Sequence, residues 1–332
     1  MLDVDKLCLR MRQFGGWRLL WQYAKMGVLW TGCKALFVCV MRGRSLKEAY
    51  PVVTREIDDV LVRRYGGIFV AAEAVACKTS DDDGNVGGCG HKVPHIVWSA
   101  WLQGMDKAPE MVQACMESWS RELPGYDIRV VDSYNYHEWV ELPPYVVEKY
   151  RKGLIPHALF CDLLRLALLK RYGGVWMDAS VYCSGFGNEQ LRTRWDRVIG
   201  SEFTVFRYFR RGAAAPVGLS NWFMAAVPNE KVVSVVFDAL LAYWRDYDCT
   251  VNYYVMHLFL GMALRTFSDV TSSMPHENSY YSLLLGKVLA DDYNGAKWRE
   301  LASHVSIHKL NYRKECEAKR NPNGFYSHLL LL

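Results

Sequence analysis

Several common features are missing from this 332-residue sequence, and each absence excludes a class of protein. It has no Walker-type phosphate loop, no GxSxG turn and no HExxH helix, which argues against P-loop hydrolases, α/β-hydrolases and zinc proteases. It also has no run of about 20 apolar residues, the length that a helix needs to cross a bilayer. The ten cysteines show no CxxC spacing, and most lie in apolar runs, which predicts buried thiols in a reducing compartment.

The basic charge is concentrated in the N-terminal segment. Residues 1–50 hold nine Lys and Arg residues against three acids, a net charge of +6, whereas the whole chain carries +5. This distribution argues against a nucleic-acid groove across the fold and favours an anionic surface such as a membrane. The charged opening sequence predicts no signal peptide.

The strongest membrane candidate is the apolar segment 26–41, which has sixteen residues and contains Lys34. This segment is too short to span a bilayer, but its length and its flanking arginines suit an interfacial helix on an anionic leaflet. A helix packed onto the protein body is an equal alternative.

The chain divides into three segments by composition. We predict a basic helical segment at 1–78, an Asp- and Gly-rich linker at 79–92 and one α/β domain at 93–332. Cys77, Cys89 and His91 near the linker are candidate zinc ligands. A fourth ligand is missing and the spacing fits no zinc module, so we interpret this stretch as a flexible linker.

The pattern of the third segment indicates an α/β fold. Residues 93–101 and 126–132 are predicted strands with a helix at 108–123 between them, which is typical of a parallel βαβ unit. The other predicted strands are 175–183, 197–207, 215–227 and 305–312. The other predicted helices are 143–152, 156–172, 229–246 and 252–267, followed by two shorter helices within 279–303. We therefore expect an α/β fold with a helix-rich C-terminal half.

The sequence RYGG occurs twice, at 64–67 and at 171–174. Because glycine tolerates the left-handed conformation that closes many helices, both copies are predicted to end a helix. Only the second copy is followed by an acid, Asp178, where the first copy has Ala71.

Two charged residues interrupt the otherwise apolar helix 156–172. Asp162 and Arg165 are three residues apart and so share a helix face. Burying either charge alone would cost several kcal/mol, so the two either pair with each other or face a polar cleft. The periodicity leaves both possibilities open.

The strand predicted at 175–183 separates its side chains onto two faces. Val175 and Met177 project from one face, whereas Asp178 and Ser180 project together from the other. The carboxyl end of a parallel strand is where α/β sheets bind ligands, and a carboxylate beside a second oxygen suits a hard divalent cation. The alternative is an acid that caps a turn.

These residues carry a resemblance to a known family. "VPHIVWSAWLQG", "LPGYDIRVVD" and "CDLLRLALLKRYGGVWMDASVYC", within 93–183, resemble the capsular polysaccharide synthesis protein family. That family belongs to the sugar-binding DxD superfamily, with glycosyltransferase family 32 and the clostridial glucosylating toxins. Weaker similarity continues in "LSNWFMAA", "YYVMHLF" and "IHKLNY". The resemblance implies a GT-A fold, with a Rossmann-like mixed sheet flanked by helices. It also implies transfer of a sugar from a nucleotide-diphosphate donor with retention, using Mn²⁺ or Mg²⁺.

The resemblance also implies roles for individual residues. Asp162, Arg165 and Asp178 are the expected catalytic residues. The expected donor-binding residues are these three together with Trp101, which stacks on the donor base, Gln103, Gly104 and Lys309. The expected metal ligands are Asp178, Ser180 and His308, and the expected acceptor-side residues are Asn221, Tyr254 and His257.

Two residues depart from the family pattern. Cys161 replaces the serine before Asp162, and Ser180 replaces the second DxD acid with a neutral, weaker metal ligand. His308 or Lys309 completes the site in this interpretation, although an ordinary strand-end histidine is an equal alternative. Residues of the acceptor-side types are more often hydrogen-bonded polar groups of the core, and that is the favoured alternative for all three.

We therefore expect a cytoplasmic glycosyltransferase, peripheral at the inner face of the cell membrane. Its expected partners are a UDP-sugar donor, a glycan or lipid-linked acceptor and an anionic membrane, without nucleic acid. A nucleotide-sugar hydrolase or nucleotidyltransferase, and a non-catalytic scaffold of a capsule assembly complex, are the alternatives.

Overall fold

The computed structural model describes residues 16–45, 48–82, 92–207 and 217–331. Its strands are β1 (Ile96–Ala100), β2 (Asp127–Val131), β3 (Gly174–Met177), β4 (Val181–Cys183), β5 (Phe203–Arg207), β6 (Leu219–Ala226) and β7 (Ile307–Lys309). Its helices are α1 (Trp17–Met26), α2 (Leu29–Met41), α3 (Ala49–Asp82), α4 (Glu110–Glu122), α5 (Tyr136–Trp139), α6 (Pro144–Arg151), α7 (His157–Tyr172), α8 (Glu189–Ile199), α9 (Lys231–Asp246), α10 (Val255–Thr266), α11 (Ser268–Ser273), α12 (Leu285–Val288), α13 (Gly295–His304), α14 (Glu315–Ala318) and α15 (Phe325–Leu329). Short 3₁₀ turns lie at Met105–Lys107, Tyr281–Leu283 and Tyr312–Lys314.

Five strands form a mixed sheet in the order β2-β1-β3-β6-β5. Strand β1 runs parallel to both β2 and β3, whereas β6 runs antiparallel to β3 and β5. Strands β4 and β7 form a separate antiparallel pair. The predicted α/β class, with a mixed sheet flanked by helices, is confirmed.

Helix α7, which carries Asp162 and Arg165, is buried against the sheet. It packs on β1, β3 and β6 with one side and on α9 with another, while α3 packs on α9 and α10. Proline precedes its first turn, where a missing N–H has no cost, and its residues Leu159–Leu169 are almost all buried. The opposite face of the sheet has its own core, which includes Val175 and Met177, so the predicted alternation of β3 side chains is confirmed.

The two RYGG copies differ in structure, and the prediction for the first was wrong. Gly66 and Gly67 lie within α3, which continues to Asp82. The apolar residues after them keep a helical face in the core, where Phe69 is fully buried. The second copy does end its helix, with φ of 64° at Gly173 and 100° at Gly174. A side chain at Gly174 would lie 2.6 Å from the Ile96 carbonyl oxygen, so only glycine fits between β1 and β3.

Two predicted strands are also shorter than expected. The segment predicted as one strand at 175–183 leaves the sheet after Met177, turns through 178–180 and continues as β4 in the second sheet. Part of the predicted strand 197–207 belongs to α8, whose first turn is capped by the Asn188 side chain accepting from the Leu191 N–H.

The N-terminal helices pack on the C-terminal half through one side. Met26 and Val28 share a core with Ile57 and with α9 and α10, and the Tyr23 hydroxyl donates to the Val251 carbonyl at 2.9 Å. Among the described residues, no single helix has the length and apolarity to cross a bilayer; α1 and α2, joined through a bend of 111°, satisfy these requirements only as a pair. The Cys77 side chain, Cys89, His91 and most of the predicted linker lie outside the described residues.

Candidate functional site

The site lies where β1 and β3 end. Trp101 follows β1 and Asp178 follows β3, and because these strands are parallel neighbours, their carboxyl ends share one edge of the sheet. The Asp178 N–H donates to the Trp222 carbonyl at 2.9 Å, and its own carbonyl accepts from the Val181 N–H at 2.9 Å. The turn is therefore fixed by backbone bonds on both sides of the acid.

Asp178 accepts hydrogen bonds from three side chains. Arg165 Nη2 and Trp176 Nε1 each donate to its Oδ1 at 3.0 Å, and Lys309 Nζ donates to its Oδ2 at 2.9 Å. Burial disfavours the charged carboxylate, but Lys309 and Arg165 outweigh that effect and hold the pKa of Asp178 below its usual value. The carboxylate is 28 % exposed, so part of it reaches the surface.

Arg165 connects the two acids of the site. Its Nη1 donates to Asp162 Oδ1 at 2.6 Å, its Nη2 reaches Asp178, and its guanidinium lies 4.7 Å from the centre of the Trp176 ring. Asn221 Nδ2 donates to the same Asp162 oxygen at 2.9 Å. The predicted pairing of Asp162 with Arg165 is therefore present and buried, and it extends through Arg165 to the partly exposed Asp178.

Lys309 approaches Asp178 from the second sheet. In β7 it lies opposite Val181, and the Leu310 N–H donates to the Ser180 carbonyl at 2.8 Å, which fastens β7 to the 178–180 turn. Lys309 Nζ donates to Ser180 Oγ at 2.7 Å as well as to Asp178. The site thus combines two carboxylates with two cations at one sheet edge, an arrangement suited to a polar, anionic ligand.

A profile of the capsular polysaccharide synthesis protein family matches residues 60–329, more than half of the chain. The chain belongs to this family. It is also similar to the O-glycosyltransferase PaGT of Phomopsis amygdali, with 26% identity over 164 residues. That match covers 45% of this chain and 39% of the relative, so the chain spans about two fifths of the relative's length.

One solved structure, the PaToxG glycosyltransferase, aligns with this member of the capsular polysaccharide synthesis family. The alignment covers 80% of this chain and 97% of that structure, at 11% identity and a TM-score of 0.36.

The predicted donor-binding residues of the sequence WLQG follow β1, the strand that pairs with β3. Trp101 is partly buried and meets the Tyr312 ring edge-on at 5.2 Å between centroids. Its indole Nε1 is buried and has no hydrogen-bond partner among the described residues. Gln103 is exposed, and Gly104 has φ of 87° in a turn where an added side chain would lie 2.6 Å from Asp106 Oδ1.

The predicted metal ligands do not come together. Asp178 and Ser180 are neighbours, but both face the Lys309 ammonium. His308 is fully buried on the other side of β7, where its Nε2 lies 2.9 Å from Ser184 Oγ. Burial lowers the pKa of His308 to about 3. Nowhere in the described residues do three His, Cys, Asp or Glu side chains form a potential metal site. These residues therefore do not fit a divalent cation held by all three.

The predicted acceptor-side residues lie beside Arg165. Asn221 bonds Asp162, and its Nδ2 lies 3.4 Å from Met256 Sδ, which Arg165 also contacts. Burial and the Arg165 charge lower the pKa of His257 to about 3, so its ring is neutral at pH 7. The Tyr254 ring meets the His257 ring edge-on at 5.0 Å.

Sequence reasoning assigned no role to three aromatic residues of this site. Trp176 bonds Asp178 and stacks under Arg165, Tyr312 packs on Trp101, and Tyr253 is half exposed. Burial, and then the charges of Asp162 and Asp178, raise the pKa of Tyr253. Strand alternation had placed Trp176 on the same face as Asp178, so the sequence did indicate that these two side chains lie close together. For the two tyrosines no short-range pattern exists, because their partners are distant in sequence.

The ionisation of Asp162 leads to a testable pH dependence. Burial raises its pKa to about 6 despite the bond from Arg165. Because this carboxyl pKa is raised, between pH about 4 and about 6 the folded protein holds a proton that the unfolded chain has lost. The free energy of unfolding therefore falls as the pH rises through this range. One such proton contributes a slope of at most about 1.4 kcal/mol per pH unit. Asp162→Asn, measured by urea unfolding at several pH values, is expected to remove this slope; an unchanged slope would contradict the assignment.

Proposed function

We propose that this protein is a glycosyltransferase that moves a hexosyl group from a nucleotide-diphosphate sugar, with a UDP-sugar as the first candidate, to a growing capsular or cell-surface glycan. One observation carries the proposal: Asp178, at the carboxyl end of β3, is bonded by Arg165 and Lys309 at the edge where α/β sheets bind ligands. Family membership and the similarity to an O-glycosyltransferase support the same conclusion.

In this proposal different side chains bind the base, the sugar and the diphosphate of the donor. Trp101, with Tyr312 at its edge, stacks on the base, and the carboxylates of Asp162 and Asp178 accept bonds from sugar hydroxyls. Arg165 and Lys309 lie on the side where the diphosphate departs. Two fixed cations beside the developing negative charge stabilise the transition state more than the ground state.

We further propose that transfer retains the anomeric configuration. The bond from the anomeric carbon to the phosphate oxygen breaks, and its electron pair leaves with the diphosphate. The acceptor hydroxyl forms the new bond on the same face of the sugar and gives its proton to the departing phosphate. This route requires no separate general base. NMR of the first product is expected to show the anomeric configuration of the donor.

Donor turnover tests the proposal directly. Purified protein is incubated with UDP-, GDP- and CDP-sugars, with and without a lipid-linked glycan acceptor, and released nucleoside diphosphate is measured. Release that depends on the acceptor, together with a labelled glycan product, is the expected result. Acceptor-independent release would indicate a hydrolase, and no turnover of any donor would indicate a scaffold.

We also propose that α1 and α2 hold the protein on the anionic inner face of the cell membrane. Five large apolar side chains on these helices are 64–86% exposed, on the side opposite the contacts to the body: Trp17, Trp21, Trp30, Phe37 and Met41. Lys34 lies on the same face of α2 as Trp30 and Phe37, at helical spacing. Exposed tryptophans interleaved with basic residues suit the headgroup region of an anionic bilayer.

The triple substitution Trp17→Ser, Trp21→Ser and Trp30→Ser is expected to abolish co-sedimentation with vesicles containing phosphatidylglycerol, because the apolar contact area is lost. High salt is expected to weaken binding of the native protein partly. Val70→Ser, which removes an equally exposed apolar side chain of α3, is the matched control and should bind normally. Vesicle binding by the triple variant equal to that of the native protein would contradict the proposal that α1 and α2 anchor the protein.

A further inference from the structure

The Lys309 ammonium holds the two oxygens that a divalent cation would need. It donates to Asp178 Oδ2 at 2.9 Å and to Ser180 Oγ at 2.7 Å. Mg²⁺ binds oxygen ligands at about 2.0–2.1 Å in near-octahedral geometry, so an ion bound by both oxygens would take the place of the ammonium between them. Either the Lys309 ammonium or a divalent cation can bind these two oxygens, but not both at once.

The position of Lys309 is fixed by its backbone. β7 is paired with β4, and the Leu310 N–H is bonded to the Ser180 carbonyl within the same turn. Gly286 packs so closely against β7 that an added side chain would lie 2.9 Å from the Lys309 carbonyl oxygen. The side chain is 22 % exposed, which leaves it little freedom to turn away from Asp178.

The charges balance in the same way as in a metal site. Two acids with one divalent cation carry no net charge, and neither does one acid with one lysine. The replacement of the second DxD acid by Ser180 removes a negative charge, and Lys309 supplies a single positive charge in place of two. An ammonium has three N–H donors, and among the described residues Asp178 and Ser180 take two of them, which leaves the third for a phosphate oxygen.

We infer that Lys309 replaces the divalent cation, so that this protein binds the diphosphate of its donor and stabilises its departure without a metal ion. This inference rests on the proposed function. As the bond between the anomeric carbon and phosphate breaks, the third N–H of Lys309 donates to the oxygen that gains charge, and Arg165 donates from the other side of Asp178.

Calorimetric titration with UDP, GDP and CDP, in EDTA and in Mn²⁺, tests the inference without turnover. At least one nucleoside diphosphate is expected to bind in EDTA, with a Kd within about threefold of that in Mn²⁺. Lys309→Ala is expected to weaken binding in EDTA at least about tenfold, since a charge-assisted hydrogen bond is lost. Lys287→Ala, at an exposed lysine of α12, is the matched control and is expected to bind normally.

The double substitution Ser180→Asp with Lys309→Ala exchanges the lysine for a second carboxylate. It is expected to bind the same diphosphate only when Mn²⁺ is present. Asp178 keeps Arg165 and Trp176 as partners in this variant, so a melting temperature within a few degrees of the native value is expected.

The results that would contradict the inference alone differ from those that would also contradict the proposed function. Binding by the native protein that EDTA abolishes and Mn²⁺ restores would overturn the inference and leave the proposed glycosyltransferase intact, as would normal binding by Lys309→Ala. Absence of binding by every nucleoside diphosphate, with and without Mn²⁺, would overturn the proposed function together with the inference.

Discussion

Asp178→Ala is expected to lower sugar transfer by a factor of about 100 to 1,000 or more. The substitution removes the acceptor that aligns Arg165, Lys309 and Trp176, so both cations lose their fixed positions beside the diphosphate. Losing one preorganised charge-stabilising group at a reacting centre has an effect of this size. The rate is measured with a verified donor and acceptor.

The fold is expected to survive this change, because Arg165 keeps Asp162 and Lys309 keeps Ser180. Asp238→Ala is a matched control: Asp238 also accepts from a lysine, Lys170, at 3.0 Å, but its pair is half exposed on α9 and α7. Transfer by the control should equal that of the native protein. Native transfer rates for Asp178→Ala would show that this acid is not part of the reacting site.

Arg165→Ala is expected to reduce both stability and activity. Arg165 is 3% exposed and is the shared partner of two acids, so its loss leaves Asp162 buried with only the Asn221 amide as a polar donor among the described residues. Removing one member of a buried ion pair costs about 3–5 kcal/mol, which for a chain of 332 residues corresponds to a fall in melting temperature of roughly 4–7 °C. Calorimetry measures the fall, and transfer is expected to be undetectable.

Asp162→Asn is the informative companion to that variant. The Asn carbonyl can still accept from Arg165, which also keeps Asp178, so the melting temperature is expected to stay within a few degrees. Transfer is nevertheless expected to be abolished, because the carboxylate no longer holds the donor sugar. A purely structural ion pair would give the opposite pattern, with stability lost and the activity of the remaining folded protein retained.

The parts of the site that short-range patterns determine could be predicted from the sequence. The βαβ unit followed from its apolar periodicity, and the placement of Asp162 and Arg165 on one helix face followed from their spacing. Strand alternation placed Asp178 and Ser180 on one face, although the predicted strand 175–183 ends at Met177 in the structure. The mixed sheet and the family were predicted from the resemblance of 93–183 to a known family, and both are confirmed.

Long-range pairing could not be predicted in the same way. Whether His308 or Lys309 faces the acids depends on the register of β7 against β4, more than 120 residues earlier in the chain. Residue alternation gives two equal choices for so short a strand, and only the pairing selects Lys309. The first RYGG copy failed as a helix end for a related reason, because tertiary packing of the residues after Gly67 outweighs the preference of glycine for other conformations.

The most direct test of the account is a crystal structure with an intact nucleotide-sugar donor, grown in EDTA and identified through the donor panel. We expect the diphosphate within hydrogen-bond distance of Lys309 and Arg165, the sugar against Asp162 and Asp178, and the base on the Trp101 ring. A donor whose diphosphate lies away from the turn that follows β3 would contradict the account.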